Sequence, residues 1–163
     1  MQKYIDDFLE YLEIEKNRSP KTLENYRRYL VHFTAFANIK DPAEITPELV
    51  RSYRLHLHRK EGNDGTRLKA NTQMYYLIAL RSFLKYLQKR DVKTLAPEKI
   101  ELGKLREREL DFLEQAEMER LLAAPEGKDI TALHDRAMLE TLFSTGLRVS
   151  ELCSLNRKNI NLA

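Results

Sequence analysis

Apolar positions recur at helical spacing almost from the first residue of this chain. Ile5, Phe8, Leu9 and Leu12 fall on one stripe between about Lys3 and Lys16, which predicts an amphipathic helix. Asn17-Arg18-Ser19-Pro20 ends it and opens the next, with Ser19 placed as N-cap and Pro20 at the first helical position. That second helix runs to about Ala37 and lines up Leu23, Tyr26, Leu30 and Phe33. Asp41-Pro42 and Thr46-Pro47-Glu48 punctuate the chain, and Thr46 is the expected cap of a third helix reaching Lys60. The Gly62-Asn63-Asp64-Gly65 loop breaks it, and a fourth helix is predicted from Lys69 or Asn71 to Arg90.

The second and fourth helices share a pattern. Thr22, Tyr26, Leu30 and Phe33 reappear fifty residues later as Thr72, Tyr76, Leu80 and Phe83. The buried stripe of any helix accounts for such a match. So does a pair of helices used in equivalent ways, each presenting free N–H groups and the positive end of its macrodipole to a phosphate. Lys21 and Asn71, beside those two starts, suit the second reading.

Residues 91–111 read as a linker, stopped by Leu95-Ala96-Pro97 and then mixed in charge through Lys104-Leu105-Arg106-Glu107-Arg108-Glu109. A second module opens at Asp111-Phe112-Leu113 with an amphipathic helix around Gln115 to Ala123. Ala124-Pro125-Glu126-Gly127 breaks that helix. Another is predicted from about Asp129 to Ser144, burying Ile130, Leu133, Ala137, Met138 and Leu142. Gly146 ends it, a short helix follows from Arg148, and Asn159-Ile160-Asn161-Leu162 suits the start of a strand.

Composition narrows the class. A third of the 163 residues are charged and Gly and Pro are sparse, which favours a mostly helical soluble protein of one domain, or of one small domain and part of another. Cys153 is the one cysteine, so no internal disulfide or thiolate cluster is available, and a reduced, cytoplasmic setting fits. The N-terminus carries Asp6, Asp7 and Glu10 and lacks a signal-peptide profile, and no apolar run approaches membrane-spanning length.

The net charge of +3 hides an asymmetry. Residues 1–90 hold 17 Lys/Arg and 11 Asp/Glu, a net of +6, while residues 91–163 hold 11 and 14, a net of −3. From Arg67 to Arg90 there are six cations and no acid. Arg81, Lys85 and Lys89 form a strip at i, i+4 and i+8 of the fourth helix, where like charges cost roughly a few tenths of a kcal/mol per pair. A solvated face accounts for an isolated strip. The absence of nearby acids and the Arg27-Arg28 pair shift the weight to nucleic acid, whose phosphates and base edges such a helix contacts from the major groove.

The most specific string is Ser144-Thr145-Gly146-Leu147-Arg148-Val149-Ser150-Glu151-Leu152. A lone Gly-Leu-Arg is ordinarily a surface arginine. Here the arginine follows an amphipathic helix and a glycine stop, and Glu151 lies within i+3 reach as a possible orienting partner. A guanidinium so placed is always charged, planar and able to donate two parallel hydrogen bonds to a phosphate.

This string resembles the segment of tyrosine-type site-specific DNA recombinases, the phage integrase and Xer family, that carries their first catalytic arginine. Ser19-Pro20-Lys21-Thr22 with Tyr26-Arg27-Arg28 is similar to the second helix of the family's core-binding domain, and Asn71-Thr72 with Leu80-Arg81-Ser82-Phe83 to its fourth. Leu95-Ala96-Pro97 followed by Phe112-Leu113 resembles the linker into the catalytic domain, so the likeness spans essentially the whole chain. It implies an all-α fold: a four-helix SAM-like core-binding domain at 1–90, a linker at 91–111, and the first helices of a catalytic domain at 112–163. It further implies Arg148 as a catalytic residue, and Lys21, Thr22, Arg27, Asn71, Arg81 and Lys85 as contacts to double-stranded DNA. Other recombinase subunits in a synaptic tetramer would be partners, and no metal or other cofactor is needed.

The family's remaining active-site residues, among them a His-x-x-Arg pair and the nucleophilic tyrosine, lie downstream of the arginine. All eight tyrosines here precede Arg148. His56-Leu57-His58-Arg59 spells the pair but sits in the third helix, as a coincidence on a solvated surface; His32 and His134 read as ordinary helix residues. The expectation is therefore a truncated recombinase that binds DNA and catalyses nothing alone. Its helices between Gln115 and Leu155 should leave apolar faces exposed, disordered or buried in another copy through oligomerisation or segment exchange. Two alternatives stay open: a naturally short DNA-binding protein occupying recombination sites, and a helical protein-interaction module.

Overall fold

Side-chain caps mark where several of the helices start. The computed structural model describes residues 1–60, 65–103, 111–156 and 158, and all its regular elements among them are helical. They divide between two compact units, Met1–Glu107 and Arg108–Ala163. The first holds α1 (Gln2–Ile14), α2 (Pro20–Ala37), α3 (Pro47–Arg59) and α4 (Ala70–Lys89). Ser19 caps α2 by accepting from the Thr22 amide with Pro20 at the first position, and Thr46 caps α3 by accepting from the Leu49 amide. Asn38 ends α2 with a left-handed φ of 48°. The predicted Gly62-Asn63-Asp64-Gly65 loop and the 159–162 strand fall largely or wholly outside the described residues.

The four helices bury one core. α2 packs against α1, α3 and α4, and α4 also meets α1 and α3. Phe8, Leu30, Phe33, Tyr53, Leu57, Leu80, Phe83, Leu84 and Leu87 are all essentially inaccessible. The predicted stripe of α1 is buried in full, as are Leu30 and Phe33 of α2, while Leu23 and Tyr26 are half-buried at its margin. Phe8 is the aromatic hub, its ring centroid 5.5 Å from Phe83, 5.4 Å from Tyr86 and 6.0 Å from Tyr26.

Ring contacts also set the direction of the repeated helices. Tyr29 and His32 of α2 lie against Tyr76 of α4, at 4.5 and 5.0 Å, whereas Tyr26 shares a cleft with Ser82 and Tyr86. The pair is antiparallel. The matching threonines therefore lie apart, with the start of α2 beside the end of α4.

After Arg90 the chain stays on the bundle as far as Leu102. Leu95, Pro97 and Ile100 are buried, Pro97–Lys99 forms a short 3-10 turn, Thr94 donates to the Pro42 carbonyl at 3.2 Å, and Arg54 donates to the Glu101 carbonyl. The first half of the stretch read as a linker is thus packed structure. The mixed-charge run at 104–109 lies outside the described residues.

The second unit holds α5 (Gln115–Ala123), α6 (Ile130–Thr145) and α7 (Val149–Cys153). Asp129 caps α6 by accepting from the Ala132 amide at 2.8 Å, and Gly146 ends it with a left-handed φ of 66°. The burial predicted along α6 is not found, and the exposed apolar faces anticipated for the helices between Gln115 and Leu155 are. Ile130 is 84% exposed, Leu133 52% and Met138 37%, Ala137 is exposed and Leu142 half-buried. Within the unit α6 packs against α5 and α7, and none of the described residues of these three helices is fully buried. No described helix is long and apolar enough to cross a membrane.

A polar junction ties α2 to α3. The Lys60 ammonium donates to His32 Nε2 at 2.6 Å, so that nitrogen carries the lone pair and Nδ1–H donates to the Tyr53 hydroxyl at 2.9 Å. Burial, then the charges of Lys60 and His56, hold the His32 imidazole below its ordinary value of 6.5. Burial likewise drives the Tyr53 hydroxyl far up, with a smaller push from Tyr76.

Two outcomes follow. Phe8→Ala removes the hub and is expected to cost about 3–5 kcal/mol in denaturant unfolding. For His32 the unfolded chain is the better proton acceptor. Stability is full above about pH 6.5 and falls from there as acidification proceeds through the lowered folded value. NMR titration should place the His32 midpoint below 6.5, and Lys60→Met should move it up; a midpoint at or above 6.5 in the unaltered chain contradicts the junction.

Candidate functional site

Two groups of residues carry candidate chemistry, one on each unit. On the second, Thr145 and Ser144 send their hydroxyls back to carbonyls of α6, the Ser144 hydroxyl reaching Glu140 at 2.7 Å. The chain then turns at Gly146 into an extended Arg148, φ −72° and ψ 153°, which is the N-cap residue of α7. Glu151 grips that residue twice: its carboxylate accepts from the Arg148 amide at 2.7 Å and from the guanidinium Nη1 at 3.2 Å. Three residues apart on one turn, the two side chains are thus in contact. The Arg148 side chain remains 81% exposed.

On the first unit the predicted contacts fall in different places. Lys21 forms an exposed ion pair with Glu24 at 2.7 Å, a geometry worth little in water. The Thr22 hydroxyl lies 3.0 Å from that of Ser19, so the start of α2 is partly occupied by its own cap. Arg27 turns toward α1 and donates to Asp6 at 2.8 Å; Arg27, then Gln2, hold the Asp6 carboxyl below its ordinary range. Asn71 is exposed in the first turn of α4, which starts at Lys69 without a side-chain cap.

Arg81 and Lys85 separate as well. Arg81 is half-buried, and its Nε is enclosed without a hydrogen-bond partner among the described residues, a cost of about 1–3 kcal/mol for such a group. Lys85 and Lys89 stay exposed and line a cleft with Lys16 and Arg18 of the α1–α2 turn. The structure therefore joins Lys85 to the end where α2 begins, places Asn71 at the opposite end, and sets Arg27 against α1. Asp6 as the anchor of Arg27, and Lys16 and Arg18 as neighbours of Lys85, are not evident from spacing, because each pairing crosses helices. Among the described residues no group of three or more His, Cys, Asp or Glu side chains is arranged to hold a metal.

Comparison with known proteins covers both groups. Residues 5–91 match the family model for the phage integrase N-terminal SAM-like domain, and residues 111–163 that for the phage integrase family. Tyrosine recombinase XerC of Pelotomaculum thermopropionicum is 35% identical over 172 residues, a match covering all of this chain and 54% of that protein. XerC of Pelobacter propionicus is 37% identical over 164 residues, with the same coverage. XerD of Halalkalibacterium halodurans is 31% identical over 164 residues, covering 98% and 53%. The crystal structure of XerA recombinase superposes with a TM-score of 0.51 at 28% identity, over 98% of this chain and 52% of that one. The chain spans about half the length of the curated relatives it matches.

The double grip of Glu151 makes a local prediction. Glu151→Ala removes a cap contribution of about 1 kcal/mol. Hydrogen exchange at the Arg148 amide should speed up several-fold while exchange in α2 and α4 is unchanged; an unaltered Arg148 amide would show that the carboxylate does not hold it.

Proposed function

The chain belongs to the phage integrase family of tyrosine recombinases, and from that premise we propose that these residues hold DNA for a reaction that cuts and rejoins it through a phosphotyrosyl intermediate. The observation that carries the reading is Arg148, exposed beyond a glycine stop and steadied by Glu151. Attack on a phosphodiester builds negative charge on the non-bridging oxygens. A preorganised guanidinium stabilises that charge, and loss of one such donor in an active site costs about 10²–10³ in rate. Arg148 takes this role, and Glu151 acts through it as a positioning residue.

The first unit supplies binding. Its net positive charge and the exposed cations where α2 begins and α4 ends favour a duplex backbone, with Lys21, Thr22, Arg27, Asn71, Arg81 and Lys85 as the proposed contacts. Those that are already engaged, Lys21 with Glu24 and Arg27 with Asp6, exchange a protein partner for a phosphate and so add less than Lys85. The exposed Ile130, Phe143 and Val149 of the second unit support a protein partner there, further recombinase sequence or another subunit.

The eight tyrosines all precede Arg148, so the 163-residue polypeptide by itself is proposed to bind duplex DNA and leave it uncut. Binding of a duplex followed over a salt series should give log K falling against log salt with a slope of about −3 or steeper, from three or more phosphate contacts. Supercoiled DNA carrying the bound sequence should stay supercoiled. A flat salt response would favour a protein-interaction module, and nicking or relaxation would overturn the proposed separation of binding from cleavage.

A further inference from the structure

We infer that the cleft between the α1–α2 turn and the last two turns of α4 is a built seat for a phosphate, occupied by one backbone phosphate of duplex DNA and separate from the phosphate assigned to Arg148. The inference rests on the DNA-binding reading above and adds to it Lys16, Arg18 and Lys89. The cleft encloses about 190 Å³. Lys16, Arg18, Lys85 and Lys89 line it together with Ser82 and the rings of Tyr11, Tyr26 and Tyr86, and no carboxylate is among its lining residues.

Local structure brings these cations together. Asn17 takes a left-handed φ of 46°, a conformation asparagine tolerates better than most residues, and the Arg18 amide returns to the Leu12 carbonyl at 3.0 Å. This tight reversal sets Lys16 over the Tyr11 ring, 5.6 Å from its centroid, and brings Arg18 to the cleft. The packing of α2 on α4 then delivers Lys85 and Lys89 from the far end of the longest described helix.

Electrostatics identifies the ligand class. Among the described residues none of the four cations has a carboxylate within ion-pair distance, whereas Lys21, Arg27 and Arg90 are each paired. Three nearby acids line a different cleft: Asp7 and Glu10 of α1 and Glu15 just after it, with Arg90, Tyr11 and Tyr86. Those two rings, 5.0 Å apart, border both clefts. Four like charges gathered without a counterion repel, and the positive end of the α2 macrodipole adds to the same field. A phosphate turns each of those repulsions into a charge-assisted contact, with hydroxyls of Ser82 and Tyr26 at hand as neutral donors.

The test uses the whole 163-residue chain. Lys16→Gln/Lys89→Gln is compared with the charge-matched Lys3→Gln/Lys40→Gln, whose residues are exposed and outside the cleft. The salt slope of duplex binding should become shallower by about 2 in the cleft variant and stay near the wild-type value in the matched one. Lys16→Arg/Lys89→Arg should restore it. Inorganic phosphate should displace duplex from the wild-type chain better than chloride at equal ionic strength, and the cleft variant should lose that advantage. Equal slopes in the two Gln variants, or a phosphate advantage that survives in the cleft variant, would overturn the inference. A flat wild-type slope would instead remove the DNA-binding reading itself. A thermal melt matching wild type confirms that the variants are folded.

Discussion

Phe8 sits where three helices meet, and the register of the first unit depends on it. Its ring is wholly buried against Tyr26 of α2 and against Phe83 and Tyr86 of α4. Aromatic side chains bury large areas and prefer tilted or edge-on contacts, so this one ring constrains both the separation and the sliding of its neighbours. With Tyr26 held near Tyr86, the start of α2 must lie beside the end of α4. The charges at those ends are brought together by that packing, not by any attraction among themselves.

Much of this was legible in the linear order of residues because it is local. Ser19, Thr46, Asp129 and Gly146 act within a turn of themselves, and the stripe of Ile5, Phe8, Leu9 and Leu12 needs helical periodicity alone. Glu151 reaches Arg148 for the same reason, three residues apart on one turn. What escaped is non-local. Asp6 meets Arg27 across two helices, Lys16 and Arg18 meet Lys85 and Lys89 across most of the unit, and Leu95 and Ile100 dock on a bundle that seemed already closed. The expected burial along α6 failed differently. An apolar stripe states that a face is suited to a partner, not that one is present in the unit.

The two units thus present different problems to solvent. The first buries a core drawn from all four helices, and Tyr11 and Tyr86 border both its basic cleft and a cleft of three carboxylates with Arg90. The second keeps Ile130, Phe143 and Val149 exposed and holds Arg148 through Glu151. Binding and phosphate stabilisation are therefore proposed on separate bodies within one family framework, each built from its own local rules.

Gly146 shows how little of the Arg148 geometry depends on its surroundings. A Cβ built there would meet no atom within 4 Å, so glycine is required by the φ of 66° and not by crowding. The hydrogen bonds that follow, from Thr141 through Thr145 to Leu147 and from Arg148 to Glu151, all close within four residues. The address of the guanidinium is therefore written in torsion angles and short covalent reach.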